Sequence, residues 1–214
     1  MNWIQKLRDS HKDFDKGELA ANFGENPFDE FIKWFDEASI KKELEPNACS
    51  VSTVSPDSLE VSSRIVYLKE LKDFKFIFYT NYSSQKGFDL EKNPKAALLF
   101  FWPGLERQIR IQGLVEKVSD LESDTYFESR PRESQLSAWA SHQSEKLSNR
   151  EELVLRLEAL NTKYPEKVPR PPHWGGYALS PNLIEFWQGR PSRLHDRYCF
   201  ELIDNKWINY RKNP

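Results

Sequence analysis

Between Ile184 and Arg197 the chain reads Ile-Glu-Phe-Trp-Gln-Gly-Arg-Pro-Ser-Arg-Leu-His-Asp-Arg, which crowds one tryptophan, three arginines and one histidine into a short stretch. Such a run can present guanidinium groups and a flat aromatic face to one anionic ligand, and a histidine can handle a proton near neutral pH. The competing reading is a hairpin whose arginines are solvated and whose His195 is merely hydrogen-bonded to Asp196. Spacing has to decide between them.

The elements that must position this segment are mostly strands. Short β-branched and aromatic runs occur at 48–54, 62–68, 74–80, 96–102 and 108–118, and strand patterns return at 176–179, 184–188, 197–203 and 206–210. Asp204-Asn205 is a plausible hairpin turn between the last two. The run 96–102 is continuously apolar, as a strand buried on both faces should be, whereas Ile109 and Ile111 alternate with polar residues. A barrel supplies both environments. Helices are expected at 26–38, with Asn26 as N-cap, Pro27 in the first turn and Phe28, Phe31, Ile32 and Phe35 on one face, and at 83–93. Ser119 with Glu122 and Ser148 with Glu151 give two further capping-box starts. The fold class is therefore mainly antiparallel β, with peripheral α-helices.

The composition, 38 % apolar and 30 % charged over 214 residues with no repeat or Gly/Ser linker, is that of a soluble globular chain. We read residues 1–25 as an N-terminal segment able to move and 26–214 as a single domain. A net charge of -2, with cations spread along the chain, leaves no field to attract nucleic acid or an anionic membrane, so any anion must be bound locally. No apolar stretch has the length of a membrane span, and Met1 to Lys16 lacks the apolar core of a signal peptide. Cys49 and Cys199 lie far apart in apolar runs and are read as buried free thiols, which suits a reducing cytoplasm. His142 and His173 cluster with no cysteine or carboxylate, so no metal site is expected. Trp102, Trp139, Trp174 and Trp207 are read as core or interface aromatics, and 167–172 as a surface loop.

Glu185-Phe-Trp-Gln188, four residues, then Arg193-Leu-His-Asp-Arg197 resembles the C-terminal signature of the pyridoxine 5'-phosphate oxidase family. The resemblance extends in order through Arg64-Ile-Val-Tyr-Leu-Lys69, Tyr79-Thr-Asn81, Ser84-Gln-Lys-Gly87 and Glu106-Arg-Gln108. It continues in Tyr126-Phe-Glu-Ser-Arg130-Pro-Arg-Glu-Ser134-Gln, Ser141-His-Gln-Ser144 and Trp174-Gly-Gly-Tyr177, covering about 26–210.

The resemblance implies a split β-barrel of the FMN-binding type, a homodimer with FMN at the subunit interface, and a partner chain that completes the site. It implies oxidation of pyridoxamine or pyridoxine 5'-phosphate to pyridoxal 5'-phosphate, with dioxygen as acceptor and hydrogen peroxide released. It assigns Arg64 and Lys86 to the FMN phosphate, with Thr80 and Ser84 as hydroxyl donors. The backbone of Ile65, Val66, Tyr67 and Leu68 would run along the flavin ring. Lys69, Tyr79, Gln85, Gln108, Gln143, Ser144, Trp187 and Arg197 complete the cofactor set. Lys69, Tyr126, Arg130 and Ser134 are assigned to the substrate phosphate. Tyr126 and Arg130, four apart on an expected helix that Pro131 ends, share a face. Arg193, Leu194 and His195 are assigned to the substrate ring, with Arg193 and His195 catalytic.

The chain departs from the family pattern at Gln85, where many members have arginine, at His11 and Phe14, where an arginine and a tyrosine can close over the substrate, and in the tail Arg211-Lys-Asn-Pro214. Two other functions compete: an oxidase of the same fold acting on another flat anionic ring such as a phenazine precursor, and a flavin or pyridoxal phosphate binding protein without turnover. Retained Lys69, Tyr126, Arg130 and Ser134 argue against the first, and retained Arg193 and His195 against the second.

Overall fold

The computed structural model describes residues 13–20 and 23–214. His11 therefore lies outside the described residues. Helix α1 (Pro27–Ile40) starts as its sequence dictates, with Asn26 Oδ1 accepting from Phe28 N at 2.9 Å. Its buried stripe is Phe28, Phe31, Trp34 and Ala38. Ile32, expected inward, is exposed, because the bulkier Trp34 indole takes the inner face.

The strands are β1 (Ala48–Val54), β2 (Val61–Lys72), β3 (Lys75–Asn81), β4 (Lys95–Trp102), β5 (Arg107–Lys117), β6 (Trp174–Gln188), β7 (Asp196–Ile203) and β8 (Lys206–Arg211). They pair in the order β3-β2-β1-β4-β5-β6-β7-β8, and β3 also pairs with β6, so six strands close into a barrel and β7 and β8 extend it. Helices α2 (Gln85–Lys92), α3 (Asp120–Ser129), α4 (Arg132–Ala140) and α5 (Arg150–Lys163) complete the described residues. Asp204 and Asn205 both have positive φ, 49° and 61°, as the tight β7–β8 turn requires.

Three expectations need correction. β4 is not buried on both faces: its residues alternate, and Leu99 and Phe101 face outward and exposed. The two expected strands at 176–179 and 184–188 are one strand, β6. Pro181, which has no N–H to give, falls between the residues paired to β3 and those paired to β7, so it interrupts neither ladder. The cap of α5 is Asn149, accepting from Glu152 N, one residue beyond the expected Ser148; α3 keeps its Ser119–Glu122 capping box.

The chain divides into two compact units. One comprises the chain up to Ala48, Leu98–Ile111 and Asn182–Pro214. Its interior is aromatic: Phe23 meets Trp34 and Phe186 edge-on, and Phe31 meets Phe100. The other comprises Cys49–Ala97 and Gln112–Pro181. There Phe127, Leu136, Val168 and Trp174 form a buried cluster under α3, α4 and α5. Cys49 and Cys199 are free and buried as expected, and burial pushes their thiols up to about 12 and about 11. No helix among the described residues is long and apolar enough to cross a membrane.

Candidate active site

The second unit holds a concave cavity of about 970 Å³. Its walls bring together fourteen of the residues singled out in the sequence. Arg64, Ile65, Val66, Tyr67 and Lys69 come from β2, Tyr79 and Thr80 from β3, and Gln85 and Lys86 from α2. Tyr126, Arg130 and Ser134 come from the α3–α4 corner, and Gln143 and Ser144 from the loop after α4.

Local structure aims these groups. Between β2 and β3 the register passes from Leu68↔Phe78 to Glu70↔Ile77, so Lys69 is the extra residue of a β-bulge, a device that re-aims a side chain. Lys69 is exposed, with Nζ 5.2 Å from the Tyr67 ring centroid. Helix α2 is drawn tight against the turn before it: a Cβ on Gly87 would come within 2.0 Å of Tyr82 O, so only glycine fits.

The cationic corner of the cavity is Lys86 and Arg64. Lys86 Nζ donates to Ser84 Oγ at 2.9 Å and to Gln143 Oε1 at 2.8 Å. It is a buried ammonium with no carboxylate bonded to it among the described residues, and burial, reinforced by the Arg64 charge, lowers its pKa to about 8. Arg64 NH1 donates to Thr53 Oγ1 at 2.8 Å, and Thr53 donates in turn to the fully buried Asp89 Oδ2 at 2.6 Å. Gln85 Nε2 donates to the other Asp89 oxygen at 2.8 Å. Thr80 Oγ1 donates to Gln143 Oε1 at 3.4 Å. Ser84, expected as a hydroxyl donor to the anion, gives its proton to Asn81 O at 2.7 Å while capping α2.

A second cationic corner lies around Arg130. The expectation that Arg130 sits on the helix with Tyr126 is corrected: α3 ends at Ser129, and Arg130 is extended at φ -75°, ψ 148°, because the residue before a proline is pushed out of helical backbone. Its guanidinium is nevertheless drawn in. Cζ lies 4.5 Å from the Trp174 ring centroid, burial lowers its pKa, and NH1 is buried with no hydrogen-bond partner among the described residues. Tyr79 and Tyr126 stack at 3.9 Å, and burial pushes the Tyr79 hydroxyl up to about 12. Sequence reasoning missed Trp174, read there only as a packing aromatic, together with Asn81, Ser129, Ser137 and Ser141 on the walls. The Trp174-Gly-Gly-Tyr177 motif was the available signal. Leu68 is not on the walls and is buried.

The remaining candidates lie in the first unit. Arg193, Leu194 and His195 follow β6, and Arg197 is the second residue of β7. Ser192 and Arg193 have φ of 57° and 61°, two consecutive left-handed residues, a conformation that persists only where the surroundings impose it. Ser192 N donates to Asp13 Oδ1 at 3.0 Å, and Arg190 N donates to His195 Nδ1 at 3.1 Å. Trp187 lies 4.6 Å from the His195 ring, and Phe14 meets both rings at 5.6 Å. Asp196 accepts from Leu19 N at 3.1 Å and from Arg211 NH1 at 3.1 Å. Arg197 is clamped on Glu185. Gln108 lies on β5 and is half-buried.

Residues 36–164 match the family model described as pyridoxamine 5'-phosphate oxidase, and residues 174–214 match the pyridoxine 5'-phosphate oxidase C-terminal dimerisation region. A pyridoxine/pyridoxamine 5'-phosphate oxidase of Gloeothece citriformis is 51 % identical over 98 % of this chain and 99 % of its own. One from Neisseria gonorrhoeae is 50 % identical over 97 % and 99 %. Among solved structures, PhzG of Burkholderia lata 383, in complex with tetrahydrophenazine-1-carboxylic acid, superposes with a TM-score of 0.87 at 29 % identity, covering 95 % of this chain and all of that one. With a match over most of its length and relatives half identical from end to end, the chain belongs to the pyridoxamine 5'-phosphate oxidase family.

Proposed function

We propose that the chain is an FMN-dependent oxidase that converts pyridoxamine 5'-phosphate and pyridoxine 5'-phosphate to pyridoxal 5'-phosphate. The observation that carries this reading is one cavity lined by four cationic side chains, Arg64, Lys69, Lys86 and Arg130. Two bound anions need that many cations: the cofactor phosphate takes Arg64 and Lys86, and the substrate phosphate takes Lys69 and Arg130.

The donor set fits FMN. Lys86 is a buried cation without a carboxylate partner among the described residues, Gln143 and Thr80 add polar contacts, and Tyr67, Ile65 and Val66 give an apolar wall. When bound, FMN supplies the two-electron acceptor, and dioxygen takes those electrons on to hydrogen peroxide. The alcohol substrate and O2 give aldehyde and H2O2; the amine substrate also consumes water and releases ammonia.

The chain's own groups orient and desolvate. Lys69, Arg130, Tyr126 and Ser134 hold the substrate phosphate, which fixes C4' and removes orientational freedom before reaction. Arg193 holds the substrate ring. His195, whose Nδ1 accepts from Arg190 N, handles the proton of the reaction. The working form is a homodimer with FMN at the subunit interface; exposed Ile65 and Tyr67 beside the cavity suit contact with a second chain better than contact with water. A cytoplasmic setting belongs to the same reading and is supported by the two free thiols.

A second reading, oxidation of a phenazine-type ring acid, draws on the likeness to the Burkholderia lata protein. The Lys69, Tyr126, Arg130 and Ser134 set favours a phosphate monoester instead. The test follows aldehyde absorbance and peroxide release with each B6 phosphate, with and without added FMN. Turnover of both supports the proposal. A flavin that fails to bleach anaerobically with either substrate overturns it.

A further inference from the structure

We propose that Trp174 is a positioning residue for substrate binding: its indole holds the Arg130 guanidinium and sets the spacing between Arg130 and Tyr126. The inference rests on the reading of Arg130 as a ligand of the substrate phosphate.

Arg130 stands beyond the end of α3 with extended backbone, so the helix does not fix its side chain. No carboxylate among the described residues forms an ion pair with it, and its NH1 is buried and unpartnered. A guanidinium drawn out of water without an anion needs another source of attraction. The indole face supplies it, with Cζ 4.5 Å from the ring centroid against 5.6 Å for the Phe127 ring.

Trp174 is itself held rigidly. It opens β6 in register with Asn81, its N donates to Pro171 O at 3.1 Å, and it packs with Phe127, Leu136 and Val168. Tyr126 lies parallel to the same ring, 6.1 Å away at 6°, and Tyr79 lies 5.6 Å away at 15°. One buried ring thus carries both a cation and a hydroxyl of the anion corner, and NH1 of that cation has no protein acceptor among the described residues.

The test uses the FMN-saturated enzyme with pyridoxamine 5'-phosphate and the variants Trp174→Leu, Trp174→Phe, Arg130→Ala and Trp174→Leu/Arg130→Ala. Trp174→Leu should raise KM about tenfold, the effect of losing a desolvated cation–π contact, with kcat changed less than about twofold and FMN affinity intact. Trp174→Phe, which keeps a π face, should recover most of the loss. In the Arg130→Ala background, Trp174→Leu should add less than about twofold, because its effect runs through Arg130. An unchanged KM in Trp174→Leu, or a full additional loss on top of Arg130→Ala, overturns the proposal. So does a joint fall of kcat, FMN affinity and KM quality that Trp174→Phe does not rescue. If Trp174→Leu does not fold, Trp174→Phe and its double variant with Arg130→Ala carry the same comparison, with a smaller rise in KM expected. An Arg130→Ala enzyme with unchanged KM would instead sink the phosphate reading of Arg130, and the positioning role with it.

Discussion

Arg197 is clamped on Glu185 by two nitrogens: Nε lies 3.2 Å from Oε1, and NH2 lies 2.9 Å from both carboxylate oxygens. Glu185 is buried between neighbouring strand residues of β6 and β7 and also takes Arg110 NH2 at 2.9 Å. Removing one partner of such a pair leaves uncompensated buried charge. Glu185→Ala should therefore cost about 3 to 5 kcal/mol of stability. Glu185→Gln, which keeps an acceptor, should cost less. Urea unfolding of the three proteins measures the difference, and flavin content should fall in the same order if Arg197 contacts FMN.

Lys86 gives FMN binding a pH dependence whose sign follows from its depressed pKa. In the free site the ammonium loses its proton near pH 8, below the ordinary lysine value of 10.5. A phosphate dianion favours the charged form, so above pH 8 binding must take up a proton and weakens by up to about tenfold per pH unit. Below pH 8 the affinity should be flat until the phosphate itself protonates. In the folded apoprotein the same shift favours the neutral amine, so stability through this group rises between pH 8 and 10.5 as the unfolded chain retains the proton. Fluorescence titration with FMN from pH 7 to 10 reads the first effect. Lys86→Arg should abolish the slope, since arginine stays charged throughout.

The two groups of substrate residues should separate kinetically. Arg193→Ala or His195→Ala should lower kcat by about a hundredfold or more, the lower range for loss of an acid–base or orienting group, with flavin content little changed. Lys69→Ala or Arg130→Ala should mainly raise KM. An Arg193→Ala protein that loses its flavin yet is fully active on added FMN would reverse the assignment.

An additional guanidinium at position 85, beside Lys86, would by itself tighten binding of the FMN phosphate by about tenfold. The Gln85 amide, however, is tied to buried Asp89 at 2.8 Å. An arginine at this position would share its charge between Asp89 and the phosphate. Gln85→Arg should therefore tighten FMN binding by about threefold, the tenfold gain reduced by that competition, and Gln85→Arg/Asp89→Asn should depart from additivity. Titration at two salt concentrations checks both, and an unchanged dissociation constant in Gln85→Arg would show that the site is not short of charge.

The sequence by itself determined the local elements and the chemistry on offer. Asn26-Pro27 and Ser119 with Glu122 start helices because their side chains satisfy free N–H groups within a few residues, and Asp204-Asn205 turns because both residues tolerate positive φ. The motifs around Arg64, Lys86, Arg130 and His195 likewise identified the residue types that bind phosphate and handle protons. What depended on distant partners was not legible. The single strand β6 exists because its ladder passes from β3 to β7 on either side of Pro181, so a local break signal is overruled by pairing more than ninety residues upstream. Lys69 is aimed by a bulge that only the register with β3 defines. Asp196 accepts from Leu19 N, 177 residues away in the chain. Trp174 became part of the site only when folding set its indole against Arg130, because burial, cation–π contact and an unpartnered nitrogen are relations between residues far apart in the chain.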